Sequence, residues 1–214
     1  MDEPLIIIGA GGEAVSILDT VEAINARGKR WTVVGFLDDR WGNDRDFCGF
    51  PVFGPVARAY EFDGARFIIA LGNDMMFVER SIIAASVRSD DFASVIHPAA
   101  SISRRATLGN GVWIGAGAIV GTSSVVGNHV LVGAGATLAQ GCVIDDCSVI
   151  GALAAIGNAV HVGANCFIGP SAVIEQHLTI GRETRVSAGS IVTESVPPRS
   201  LVRPARGSVI ERRN

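Results

Sequence analysis

Aromatic residues are scarce in this chain: they make up 6% of its 214 residues, while glycine alone occurs 26 times. A chain of this length can bury a core in one domain or two, but this composition excludes a core of helices packed around large rings. Abundant Gly, Ala, Val and Ile with few rings predict many short strands and tight turns instead. Charge is sparse as well, at 18% of residues, and the formal net charge is only −3. That balance leaves no electrostatic footprint for nucleic acid or for an anionic membrane, so function is expected from a local site. Long apolar runs are also missing. The opening MDEPLIIIGAGG starts acidic, and its apolar run is too short for a signal peptide or a membrane span. The expectation is therefore a cytoplasmic protein with no membrane insertion. The four cysteines, Cys48, Cys142, Cys147 and Cys166, form no CxxC pair and no zinc-like spacing. Small buried thiols are expected.

What is present falls into two halves with different periods. Up to about Asp91, apolar runs alternate with helix-like segments. LIIIGAGG reads as a strand ending in a glycine turn, EAVSILDTVEAINARG as a helix closed by Gly28, and WTVVGFLDD as a second strand. PVFGPVARAYEF follows as a short strand and helix, RFIIALGN as a strand and MMFVERSIIAASVR as a helix. This alternation predicts a small parallel sheet with helices on its faces. Ligands of such sheets sit beyond the C-terminal ends of the strands.

From Ile96 to Val192 an aliphatic anchor recurs every six residues, seventeen times without interruption. Four places after the anchor the residue is usually small, as at Ala100, Ala118, Ala136, Cys142, Ser148 and Ala172. This double constraint is the hexapeptide repeat of a parallel β-helix. Three hexads make one triangular coil, and the series stacks into a rod about 27 Å long at the strand spacing. Glycine at anchor plus one is expected to let the chain turn each corner. It is absent from LAQGCV and IDDCSV, where Ala139 and Asp145 stand. The flat sides of such a prism suit symmetric packing of copies, for which a closed trimer is a natural outcome.

Candidate binding residues cluster at the strand ends. Gly9, Gly11, Gly12 and Glu13 follow a strand and open a helix, where free N–H groups and the helix dipole favour a phosphate. As GxGxxA the run also suits NAD, and a tight turn without ligand is the plainer alternative. Asp38 and Asp39 end the second strand, placed to accept hydrogen bonds from a uracil or ribose, or to serve as turn and cap residues. Gly72 and Asn73 lie on the same edge. His97, His129, His161 and His177 are separated by no multiple of eighteen, so no histidine column exists to hold a metal and none is expected.

IIIGAGGEAVSILD, VVGFLDD, IALGN, VIHPAA, the hexads and the closing VPPRSLVRPAR together resemble the bacterial sugar O- and N-acyltransferases. That family is typified by sialic acid O-acetyltransferases and by UDP-4-amino-sugar and GDP-perosamine N-acetyltransferases. The resemblance implies a Rossmann-like α/β domain over 1–92 that holds a nucleotide sugar, then an all-β left-handed parallel β-helix with a C-terminal tail over 93–214. It further implies a homotrimer, with acetyl-CoA or another acyl-CoA in the cleft between neighbouring β-helices. On this chain the cleft would be lined by Val149, Gly169, Pro170, Ala188 and Gly189, near the ending Pro204-Ala205-Arg206.

The same resemblance locates a departure. Relatives carry a histidine general base in the eighth hexad, two places after the anchor, with an acid beside it; here Gln140 and Gly141 stand there. Val149 replaces a second histidine, and Glu13 stands where relatives have one after the glycine pair. His129 and His177 are the candidate stand-ins, against the alternative of a solvated polar corner. A sugar amine with a pKa of about 8 is already partly neutral near neutral pH. N-acylation of a nucleotide-linked amino sugar is therefore expected, with Gln140 orienting the amine or hydrogen-bonding the acyl carbonyl. The competing reading is a catalytically silent nucleotide-sugar-binding or scaffold protein. A nicotinamide domain is the third, and it expects a partner fold that a β-helix is not.

Overall fold

The computed structural model describes residues 2–28, 30–41, 45–72 and 78–204. The first half contains β1 (Glu3–Ile8), α1 (Gly12–Asn25), β2 (Trp31–Leu37), β3 (Arg45–Phe47), β4 (Phe50–Val52), a 3₁₀ turn (Val56–Glu61), β5 (Arg66–Ile69) and α2 (Glu79–Ser86). The sheet order is β3-β4-β2-β1-β5, with β1 parallel to both β2 and β5. Leu5, Ile6, Ile7 and Ile8 are all fully buried, because β1 is covered on both faces. Leu5 and Ile7 pack into the cluster that contains α1, while Ile6 and Ile8 pack on the side of α2. The chain leaves β1 toward β2 on one side and returns to β5 on the other, which opens a crevice at the C-terminal ends of β1 and β5. The β3–β4 hairpin adds one strand to the sequence reading: β4 is the short strand expected in PVF, and the outer strand β3, Arg-Asp-Phe, is too short and polar to show a period. It turns through Cys48 and Gly49, both with positive φ. Cys48 is exposed there, contrary to expectation, while Cys142, Cys147 and Cys166 are buried. Burial raises the pKa of all three, that of Cys166 to about 11, which keeps them as inert thiols.

Seventeen two-residue strands then recur every six residues, from Val95–Ile96 to Ile191–Val192. They stack in parallel into three faces, and Leu201–Val202 adds a last rung to the first. The first face runs from Val95–Ile96 through Trp113–Ile114, Leu131–Val132, Val149–Ile150 and Phe167–Ile168. The second face begins at Ser101–Ile102 and the third at Thr107–Leu108. The anchors and the small residues four places later fill the interior, as the repeat predicts.

The corners differ from expectation in one respect. From Gly111 to Gly189 every residue three places after an anchor has a positive φ, and nine of these fourteen are not glycine. The turn is therefore made at anchor plus three. Glycine at anchor plus one answers a different need, which is clearance between coils. A Cβ on Gly133 would lie 2.5 Å from the amide nitrogen of Ala152, and one on Gly151 would lie 2.6 Å from that of Pro170. In the two irregular hexads the added side chains have partners. Ala139 packs against the β-helix core, and Asp145 hydrogen-bonds His161 at 2.9 Å. Asp146 accepts the N–H of Asn128 at 2.7 Å, extending a ladder in which Asn128 accepts that of Asn110.

The two halves share a core. Trp113, Leu131, Val149 and Phe167 project from the first face and are buried against Ala14, Ile17, Leu18 and Val21 of α1. The indole N–H of Trp113 donates to the hydroxyl of Thr20 at 3.1 Å. On the other side Arg80, fully buried, donates to the carbonyls of Ile69 and Leu71 at the end of β5 and to that of His129 on a β-helix corner. No helix among the described residues is long and apolar enough to cross a membrane.

Candidate active site

Two cavities open at the crevice between β1 and β5. The smaller, about 150 Å³, is lined by Gly9, Asp38, Asp39, Arg40, Leu71 and Glu79, among others. Gly9 has a φ of +106°, and a Cβ there would lie 2.9 Å from the side chain of Leu71 and 3.1 Å from the carbonyl of Ala70. Only glycine fits this position. Gly11 is the N-cap of α1 and supplies no side-chain cap, so the start of the helix faces the crevice as bare backbone.

Asp38 is 4% exposed and accepts four hydrogen bonds: from Ala10 N–H at 2.8 Å, Arg40 N–H at 2.9 Å, Arg40 Nε at 3.0 Å and Arg40 Nη2 at 2.7 Å. A carboxylate has about four acceptor sites, so Asp38 is occupied by its own chain. It holds the glycine turn and aims the half-exposed Arg40 guanidinium past Gly11. Asp39 spends one oxygen on the N–H of Val56 at 2.7 Å. Burial by itself would raise the pKa of Asp38, but the hydrogen bonds from Arg40 and Ala10 outweigh it and leave the pKa below the ordinary value. A carboxyl whose folded pKa is depressed stabilises the fold fully above its unfolded pKa, and this contribution disappears as pH falls through the folded value. Asp38→Asn is accordingly expected to lose about 1–3 kcal/mol at pH 7. Urea unfolding curves check this, with the difference from the parent chain shrinking below pH of about 4.

The larger cavity, about 430 Å³, lies between α1 and the first face of the β-helix. Glu13, Ser16, Asp19 and Thr20 come from α1, and Gly72 from the segment after β5. His97 follows the first β-helix strand, Trp113, Leu131, Val149 and Phe167 form the apolar wall, and Ala134, Ala152 and Pro170 form the rim. Glu13 lies across Gly72 so closely that a Cβ there would meet its Cγ at 2.5 Å. His97 Nδ1 accepts the N–H of Ala99 at 3.0 Å, which leaves Nε2 as the protonated nitrogen of the neutral ring.

The candidate residues thus divide between sites. Gly9, Asp38 and Asp39 line the smaller cavity, while Glu13, Gly72, Val149 and Pro170 line the larger. Gly169, Ala188 and Gly189 continue the rim along the same corner, with Gly189 N–H donating to the Pro170 carbonyl at 2.9 Å. Gln140 lines neither cavity: it is exposed on the corner between the second and third faces, its N–H on Asn158 Oδ1 at 3.2 Å. His177 is exposed on the same corner further along, its N–H on the Asn158 carbonyl. His129 has a structural position: its ring meets Phe92 edge-on at 4.3 Å, and burial, then the nearby Arg80, lower its pKa. Asn73, Ala205 and Arg206 lie outside the described residues. No group of three or more His, Cys, Asp or Glu side chains able to hold a metal ion occurs among the described residues. Ser16, Asp19, Thr20, Arg40 and Trp113 were not singled out by sequence. The available signal was the polar stripe Glu13, Ser16 and Thr20 at helical spacing on a face that packs inward.

Both halves of the chain have counterparts among known proteins. Residues 4–76 match the family model of the PglD N-terminal domain, and residues 105–140 and 159–194 match the bacterial transferase hexapeptide (six repeats). Perosamine N-acetyltransferase from Caulobacter crescentus, solved as a variant in complex with CoA and GDP-perosamine, superposes with a TM-score of 0.81 at 27% identity, covering 92% of each chain. The acetyltransferase domain of PglB from Neisseria gonorrhoeae, solved with acetyl coenzyme A, superposes with a TM-score of 0.82 at 27% identity over 96% of this chain and 99% of that one. WeeI from Acinetobacter baumannii shares the fold at 19% identity and a TM-score of 0.60, over 94% and 97% of the two chains. No curated protein matches the chain by sequence. The two family-model matches, together with the superpositions on the perosamine N-acetyltransferase and the PglB acetyltransferase domain, place the chain in the hexapeptide-repeat sugar acyltransferase family.

Proposed function

We propose that the protein is an acyl-CoA-dependent N-acyltransferase acting on the amino group of a nucleotide-linked sugar, with acetyl-CoA as donor. One observation carries the reading: neighbouring residues of the same two segments line the two cavities. Gly9 and Leu71 line the smaller while Glu13 and Gly72 line the larger. A nucleotide held at the glycine turn, its diphosphate toward the start of α1 and Arg40, would extend its sugar into the larger cavity. The rim residues Ala152, Pro170 and Ala188 would then border the acyl-CoA. Support comes from the relatives of 27% identity, one holding CoA with GDP-perosamine and one holding acetyl coenzyme A.

Gln140 belongs to this reading only in an assembly, since it lines neither cavity of its own chain. The second face of the β-helix, with Ile119, Val173 and Ile191 at 45%, 40% and 68% exposure, is the surface on which three copies would close. A neighbouring copy would then bring Gln140 to the acyl group as a hydrogen-bond donor, in a cytoplasmic homotrimer.

The test is acetyl-CoA binding and turnover with a panel of nucleotide 4-amino- and 3-amino-sugars against their hydroxyl counterparts. Transfer to amines is expected, and Gln140→Ala should slow it by about tenfold, the rate equivalent of one hydrogen bond. Tight nucleotide binding without any acetyl-CoA binding would sink the enzyme reading and favour a silent binding protein, for which the absence of histidine at 140 and 149 is the argument.

A further inference from the structure

Glu13 stands where the two cavities part, and its direction is set by Gly72. Because Gly72 has no side chain, the Glu13 side chain, from Cγ to the carboxylate, lies over it and lines the larger cavity rather than the smaller one, where the Asp38–Arg40 pair stands. The titratable groups that face it there are Asp19 on its own helix and His97 from the segment after the first β-helix strand. Arg80 interacts with Glu13 through space, but its guanidinium is fully buried and committed to three carbonyls. Among the described residues no lysine or arginine lines the larger cavity, and its far wall is Trp113, Val149 and Phe167. Such a lining attracts a cation and repels a phosphate or a sugar carboxylate. The smaller cavity does contain an arginine, Arg40, together with Asp38, Asp39 and Glu79.

We propose that Glu13 receives the ammonium group of the acceptor sugar and serves as its general base, the function that Gln140 cannot perform. This rests on the acyltransferase reading above. The carboxylate takes one proton from R–NH₃⁺, leaving R–NH₂ and a neutral carboxylic acid. The nitrogen lone pair attacks the thioester carbonyl carbon, so that an N–C bond forms and the C–S bond breaks. The CoA thiolate leaves with a second proton from the nitrogen, and Glu13 returns the first to solvent. An acceptor hydroxyl carries no charge for Glu13 to bind, which makes the same carboxylate a selector for amines.

Glu13→Gln keeps the shape and removes the charge, and two readouts follow. In calorimetry without acyl-CoA, the parent protein should bind a nucleotide 4-amino-sugar more tightly than its 4-hydroxyl counterpart, by about tenfold or more, and Glu13→Gln should abolish that ratio while still binding the bare nucleotide. In steady-state assays kcat/KM should fall by about 100-fold at pH 7, with the gap closing above pH of about 8 as free amine becomes abundant. Glu13→Asp should recover part of the loss. An unchanged binding ratio in Glu13→Gln, or a rate loss equal at every pH, overturns the assignment while the acyltransferase reading stands. No transfer by the parent protein overturns the acyltransferase reading instead, and the binding ratio then still decides whether Glu13 recognises the amine.

Discussion

Arg80→Leu is expected to lose about 3 kcal/mol of stability, a fall in melting temperature of roughly 6–12 °C for a chain of this size. Arg80 is fully buried, and no carboxylate hydrogen-bonds to it among the described residues. Its charge is offset instead by the carbonyls of Ile69 at 3.1 Å, Leu71 at 2.9 Å and His129. Leucine would relieve the desolvation of the guanidinium, yet it would leave these carbonyls without a donor, at about 1–3 kcal/mol for each one that water cannot reach. The carbonyl effect wins because two of the three terminate β5 beside the crevice and the third fastens the β-helix corner to it. Urea unfolding followed by tryptophan fluorescence reads the loss, and a change within about 0.5 kcal/mol would show that the carbonyls find other donors. The pH dependence has a definite sign. Desolvation lowers the pKa of Arg80 to about 10, so at more alkaline pH the unfolded chain binds more protons than the folded one, and the Arg80 contribution to stability rises with pH there.

Ala152→Trp is expected to remove acyl transfer, by about 100-fold or more, while leaving the fold and nucleotide binding intact. Ala152 lies on the rim of the larger cavity, at a corner whose turn is closed by Ala154 N–H on the Gly151 carbonyl at 3.2 Å. The residue is only partly buried, so an indole has room to grow outward without invading the β-helix core. In that direction it occupies the space between α1 and the first face. Displacement of a reacting group by about 1 Å can cost 100-fold in rate. The smaller cavity shares no lining residue with the larger, so affinity for a bare nucleotide should be unchanged in calorimetry. Undiminished turnover would place the chemistry away from this cavity.

The β-helix was legible residue by residue because its contacts are periodic. Each hexad stacks on the one eighteen residues away, as Val125 does on Val143, so an anchor such as Ile144 and a small partner such as Ser148 meet the same environment in every coil. The parallel sheet was legible for a related reason: Leu5 to Ile8 form an unbroken apolar run because β1 is covered on both faces. The role of the repeat glycine was misjudged because inter-coil clearance at Gly133 or Gly151 is a distance to backbone in the next coil, which local propensity does not report.

The directions of the polar side chains at the site depended on tertiary structure. Nothing in FLDD shows that Asp38 is filled by Ala10 and Arg40, and nothing in GAGGEA shows that Glu13 lies over Gly72 and turns from one cavity into the other. Sequence by itself determined the two periods, and with them the sheet and the β-helix. Only the packing of α1 and Arg80 against the β-helix decided which charges face which cavity, because a buried polar group takes its partner from whatever the folded chain brings within hydrogen-bond reach.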